Sequence, residues 1–146
     1  MAASALWCRA SSGGWGLDEI DANLHMNQAA YAQVGELGRT DWAFGSGAWE
    51  RWKRHRVKPV VAEQRIIYRR ELKPLQRYLI DTRAVGVEGR LLAVETHLLV
   101  GSRVHARLEL KLIFIAAEGV AAPERVAEVN GPLLTDPLAI EDWRAV

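Results

Sequence analysis

Apolar and polar residues alternate strictly in the last third of the chain. Val104, Ala106, Leu108, Leu110, Leu112 and Phe114 share one parity, and His105, Arg107, Glu109 and Lys111 share the other. A period of two marks a strand with one buried face, so a strand is predicted over 103–115. Three more strands are predicted upstream. The first covers 60–72 around Ile66, Ile67 and Tyr68 and is broken by Lys73-Pro74. The second covers 77–87 and ends at the hairpin signal Glu88-Gly89. The third covers 90–100 and ends at Gly101-Ser102. Strands joined by tight turns run antiparallel. At about 11–13 residues, these exceed the usual five or six.

Between Asn27 and about Trp42 the pattern changes. Alanine and straight-chain residues dominate, Val34 is β-branched, and a helix is predicted over 27–42. Asn27 is suited to cap it. Gly35 and Gly38 each cost such a helix about 0.5–1 kcal/mol relative to alanine. Their spacing puts them on one face, which predicts close approach by another backbone. A short helix is placed at 48–54, within a connection carrying Trp49 and Trp52 among basic residues. Pro123 opens another at 123–129. Short segments at 5–9 and 15–17 flank the turn Ser11-Ser12-Gly13-Gly14, and their pairing is expected. The pattern alone defines an α+β domain over 1–146: one long helix, then an antiparallel meander.

Composition narrows the function classes. The chain has 146 residues, 49% hydrophobic and 25% charged, which excludes disorder and coiled coil. With 19 basic and 18 acidic residues, the overall field does not favour nucleic acid. A single cysteine, Cys8, cannot form an internal disulfide, and it lacks the sequence neighbours of a nucleophile. No segment reaches the ~18–20 apolar residues of a membrane span. The first residues lack the basic start of a secretory signal. A cytoplasmic protein is expected.

The segment Asp21-Ala22-Asn23-Leu24-His25-Met26-Asn27-Gln28-Ala29-Ala30-Tyr31 resembles the signature of the 4-hydroxybenzoyl-CoA thioesterase-like family, D-x-D-x-x-G-H-[VM]-N-N-x-x-Y. Similarity extends over roughly Trp15 to Glu128 and includes Val60–Gln64 and Arg69–Leu72. The resemblance implies a hotdog fold, a curved antiparallel sheet wrapped around one central helix. It also implies hydrolysis of an acyl-CoA or acyl-carrier-protein thioester. No cofactor is implied beyond coenzyme A as part of the substrate. A homodimer is implied, and the sequence leaves its pairing into a tetramer open. Three positions depart from the signature: Glu19 for the first aspartate, Leu24 for glycine and Gln28 for the second asparagine.

Thioester hydrolysis needs a carboxylate that attacks the carbonyl or activates water, and donors for the developing oxyanion. By the resemblance, Asp21 is that carboxylate and His25 orients groups beside the thioester. Leu24, Asn27, Gln28 and Tyr31 contact substrate. The start of the helix supplies free backbone amides and a positive dipole end. Each residue also has a structural reading. Asp21 and Asn27 suit caps, His25 a hydrogen-bond partner, and Tyr31 packing with a hydroxyl handle.

Glu36 is a rival base, ranked below Asp21 because its spacing from Asn27 puts it on the opposite helix face. Glu63 is the next candidate. Asp18, Glu19, Asp21 and His25 make a weak metal set with one histidine, and no metal is expected. The basic run 51–58, with Arg65, Arg69 and Arg70, could meet the phosphates of coenzyme A, although such runs are usually solvated. Trp42, Trp49 and Trp52 suit either core or an acyl-pocket wall. Two other functions stay open. Leu24 in place of glycine is compatible with a non-catalytic acyl-binding module. A hydratase ranks lower, since Asp21 and His25 lack the spacing and proline of that motif.

Overall fold

The computed structural model describes residues 7–8, 28–73 and 76–139. Their elements run β1 (Trp7–Cys8), α1 (Gln28–Gly45), α2 (Ala48–Arg54), β2 (Lys58–Tyr68), β3 (Leu79–Glu88), β4 (Leu91–Val100), β5 (Arg103–Ala116), β6 (Gly119–Val120) and α3 (Pro123–Asn130). A 3-10 turn, Gly131–Leu133, follows. The strands form one curved antiparallel sheet ordered β1-β3-β4-β5-β2, with β6 on the far end of β5. The α+β reading therefore holds.

One face of the sheet lies on α1. Ala30, Tyr31, Val34, Trp42 and Ala43 are buried at helical spacing. They meet the even-numbered residues of β5 and their partners on β3 and β4, such as Leu108, Thr96 and Thr82. A Cβ at Gly35 would stand 2.3 Å from Cδ2 of Leu108, and one at Gly38 would stand 2.5 Å from Cγ2 of Ile80. The two glycines do mark close approach, but to side chains of the sheet, not to backbone.

The other face is polar and half-buried. Arg83 holds Asp81 through both carboxylate oxygens at 2.9 Å. Arg107 bridges Glu95 at 2.7 Å and Glu109 at 3.0 Å. Lys111 lies 3.3 Å from Glu88 and 3.7 Å from Glu63. Neighbours of opposite charge make this ladder, two apart along one strand for Arg83–Asp81 and Arg107–Glu109, diagonal across strands for Arg107–Glu95, and directly opposed for Lys111–Glu63.

Several expected boundaries move. The helix predicted to end near Trp42 runs on to Gly45, because Trp42 and Ala43 are buried and hold its last turn. The strand expected over 60–72 is Lys58–Tyr68. It ends early because Arg69 and Arg70 both donate their amides to the His105 carbonyl, which turns the chain away from β5. It starts before Pro59, which is tolerated because β2 is an edge strand. β1 pairs with β3, through Trp7 opposite Asp81 and Cys8 opposite Ile80; the 15–17 segment expected to pair with it lies outside the described residues.

Candidate functional site

Of the residues singled out by sequence, Asp21, Leu24, His25 and Asn27 lie outside the described residues, as do Asp18 and Glu19. Gln28 opens α1. Tyr31 is buried one turn further on, and its ring meets Tyr68 edge to face, with centroids 4.9 Å apart. The pair joins the first turn of α1 to the last residue of β2. Tyr31 accepts a hydrogen bond from the backbone of Leu72. Burial pushes its hydroxyl above the ordinary tyrosine value, and the nearby Tyr68 and Glu71 add to this. Tyr31 is thus a neutral donor at physiological pH, not a base. The 69–72 segment beside it is pinned: Nδ1 of His105 lies 2.9 Å from the Glu71 carbonyl, and Arg70 donates to the Val104 carbonyl at 2.9 Å.

The start of α1 carries no acidic residue in its first turn, so its free amides and dipole are not neutralised from within. The rival carboxylates are placed elsewhere. Glu36 is exposed on α1, and Glu63 points to the polar face of the sheet toward Lys111.

The other end of α1 builds a second feature. α2 is clamped to α3: the Trp52 indole donates to Oδ1 of buried Asn130 at 2.8 Å, Asn130 donates to the Val126 carbonyl at 2.9 Å, and Arg51 donates to the Val129 carbonyl. Trp42 and Trp52 are core, with Phe114 behind Trp52, whereas Trp49 is 43% exposed. The C-terminus of α2 closes with a Schellman arrangement: the Val57 amide reaches the Trp52 carbonyl and the Arg56 amide the Lys53 carbonyl. Its left-handed position, φ 56°, is filled by Arg56 where glycine is the usual occupant.

Two cavities flank this helix. One, of about 490 Å³, is lined by Trp49, Trp52, Lys53, Arg56, Lys58 and Pro59 among others. The other, of about 370 Å³, lies between α1 and β2 and includes Ala43, Phe44, Trp49 and Val61. Both are in the size range of small-molecule sites.

Sequence reading did not single out His97. It is fully buried on the polar face of the sheet, in register with Asp81 and Arg107. Among the described residues neither ring nitrogen has a hydrogen-bond partner. Burial lowers its pKa to about 4, helped by Arg107 and Arg83 and opposed by Asp81. The Glu95 carboxylate is 3.7 Å away but is engaged by Arg107 at 2.7 Å. Among the described residues no group of three or more His, Cys, Asp or Glu is placed to hold a metal ion. No described helix is long and apolar enough to cross a membrane.

A meander curled around one helix, with the helix start at a strand end, is the hotdog architecture, and solved structures agree. YbaW, a probable thioesterase from Escherichia coli, superposes with a TM-score of 0.74 at 19% identity, over 84% of this chain and 96% of that one. A thioesterase from Thermus thermophilus, solved with coenzyme A and Zn, gives 0.59 at 19% identity, over 81% and 91%. The DHNA-CoA thioesterase of Staphylococcus aureus gives 0.63 at 13% identity, over 77% and 78%. Comparison with curated proteins finds no match. The profile of the thioesterase-like superfamily matches residues 15–131, and the chain belongs to that superfamily.

Proposed function

We propose that this chain hydrolyses an acyl-CoA or acyl-carrier-protein thioester. The observation that carries the reading is the superfamily match over residues 15–131, which includes the Asp21–Tyr31 motif. In this reading Asp21 attacks the thioester carbonyl or activates water, and His25 orients the reacting groups. The amides at the start of α1 stabilise the oxyanion, since they act in a preorganised and partly dry setting. Leu24, Asn27 and Gln28 line the substrate path. Tyr31, held neutral by burial, presents an aromatic wall with Tyr68.

The working unit is a homodimer joined along β2. That edge strand is 11 residues long and leaves Val60, Val61 and Tyr68 at least 42% exposed. An open apolar edge of this length calls for a partner, and a two-fold axis satisfies it with one surface.

The test is thiol release from short, long and aromatic acyl-CoAs, comparing the native protein with Asp21→Asn. Turnover that collapses in the variant supports the assignment, whereas turnover that survives moves the base to Glu36 or Glu63. Leu24, where the signature has glycine, favours one second reading, a non-catalytic acyl-binding module. Tight acyl-CoA binding without turnover, unchanged in Asp21→Asn, would select it.

A further inference from the structure

We propose that the cavity between α1 and β2 is a binding site for a small aromatic carboxylic acid, with Arg39 holding the carboxylate. Ala43, Trp52 and Leu112, all buried, line its inner side. Phe44, Trp49 and Val61, all exposed, line its outer side. The Phe44 and Trp49 rings lie against each other, with centroids 5.4 Å apart. Among the described residues Arg39 is the one charged group in this lining.

The polar groups around the cavity leave Arg39 unmatched. The Thr40 hydroxyl donates to the Glu36 carbonyl at 2.9 Å, and the Trp52 indole donates to Asn130 at 2.8 Å. The Arg39 guanidinium is half-buried, and among the described residues it has no hydrogen bond and no ion pair. Burial disfavours its charge, and the Glu36 carboxylate, which favours it, does not come within ion-pair distance. By contrast, Arg83 and Arg107 on the polar face of the sheet are matched by carboxylates. A guanidinium stays cationic at physiological pH and offers five donors in a planar fork. Partly withdrawn from water and given no partner, it leaves a demand that a carboxylate meets with two parallel hydrogen bonds. An arginine held only by water needs neither a cavity nor aromatic rings at its side, and here the three coincide.

The size of the cavity sets the rest of the ligand. A void of roughly 150 Å³ takes one benzene ring. At about 370 Å³, this cavity has room for a ring and a short chain that ends in the carboxylate. An inorganic anion would meet Arg39 but leave the aromatic rings without a partner. A neutral arene would stack on the rings but leave the guanidinium unpaired. Arg39 and Phe44 lie roughly 12–20 Å along α1 from Tyr31, at 1.5 Å per residue. Within the protomer the site is therefore separate from the helix start, and it does not depend on the hydrolytic reading.

The experiment is calorimetric titration of the full chain with hydrocinnamate, with its neutral amide and acetate as controls. The amide keeps the ring and loses the charge, and acetate does the reverse. Hydrocinnamate should bind about tenfold or more tightly than either control, since a charge-assisted pair contributes on that order. Arg39→Gln should remove this advantage and leave the affinity of the amide as it was. Arg39→Lys, which keeps the charge without the fork, should restore part of it. Trp49→Ala should weaken acid and amide alike, and Asp21→Asn should bind the acid with unchanged affinity. No binding at millimolar ligand, an amide that binds as tightly as the acid, or an acid affinity unchanged in Arg39→Gln would overturn the site. Loss of binding in Asp21→Asn would move the acid to the reaction centre and overturn it as well. Binding with the expected losses in a protein that turns over no thioester would sustain the site and remove the hydrolytic reading.

Discussion

Replacing Gly38 by alanine tests how tightly the sheet grips α1. A Cβ there would sit 2.5 Å from Cγ2 of Ile80, 3.1 Å from Oγ1 of Thr82 and 3.6 Å from Cγ2 of Thr96. Carbon atoms rest at about 3.5–4.0 Å, so Ile80 must retreat by about 1 Å. Its Cγ2 hangs directly from a branched carbon and cannot move without turning χ1. Ile80 is 1% exposed, and Thr82 is tied to Thr96 by a 3.0 Å hydroxyl contact. Overpacking of this kind costs roughly 1–3 kcal/mol. Alanine returns about 1 kcal/mol of helix propensity. Disturbing the threonine pair adds up to about 1 kcal/mol. The net expectation is a loss of about 1–2 kcal/mol. In urea denaturation followed by circular dichroism this lowers the midpoint by roughly 0.5–1 M at an m-value near 2 kcal/mol/M. Gly35→Ala is the internal control. There the contact is with Cδ2 at the tip of Leu108, and the next atom is 3.6 Å away, so rotation relieves more of the clash and the loss should be smaller. Gly38→Ala as stable as the native protein, or less damaging than Gly35→Ala, would refute the packing argument.

Three further outcomes follow from the same geometry. Asn130→Leu strands the Trp52 indole N–H in the core, and the expected cost is about 1–3 kcal/mol, read as a fall of several degrees in the thermal midpoint. Arg56→Gly should raise stability by up to about 1 kcal/mol, read by the same melt, because the left-handed position no longer carries a Cβ. His97 is neutral in the fold with a pKa of about 4, whereas the unfolded chain protonates near 6.5. The unfolded state therefore binds the extra proton, and stability declines as pH falls from about 6.5 to about 4, by up to about 3 kcal/mol. Urea melts across this range should show a smaller decline for His97→Gln, and equal declines would show that His97 does not carry the effect.

What could be read from the sequence divides along physical lines. β5 was legible because each even-numbered residue from Val104 to Phe114 is apolar and meets the same buried surface. Its polar parity was legible only as an opposite face. His97 and Asp81 are nearly as buried as the core, which a period-two argument assigns to solvent. β2 was located but misbounded, since its end depends on two amides captured by the His105 carbonyl, far away in sequence, a contact with no local signature. The glycine pair announced close packing but pointed to a backbone, whereas side chains of Leu108 and Ile80 supply it, a distinction that helical spacing does not carry.

The candidate chemistry was legible for a different reason. The Asp21–Tyr31 spacing is a local motif that can be matched without any tertiary contact, whereas the cavity beside α2 is assembled from a helix, its C-cap and the start of an edge strand. In the sequence, the run from Arg51 to Lys58 reads as an ordinary solvated charge cluster. Arg56 stands where a helix stop favours glycine, and Trp49, one helical turn before Lys53, is left exposed, but both facts depend on where α2 ends and on what packs against it, which no local pattern fixes.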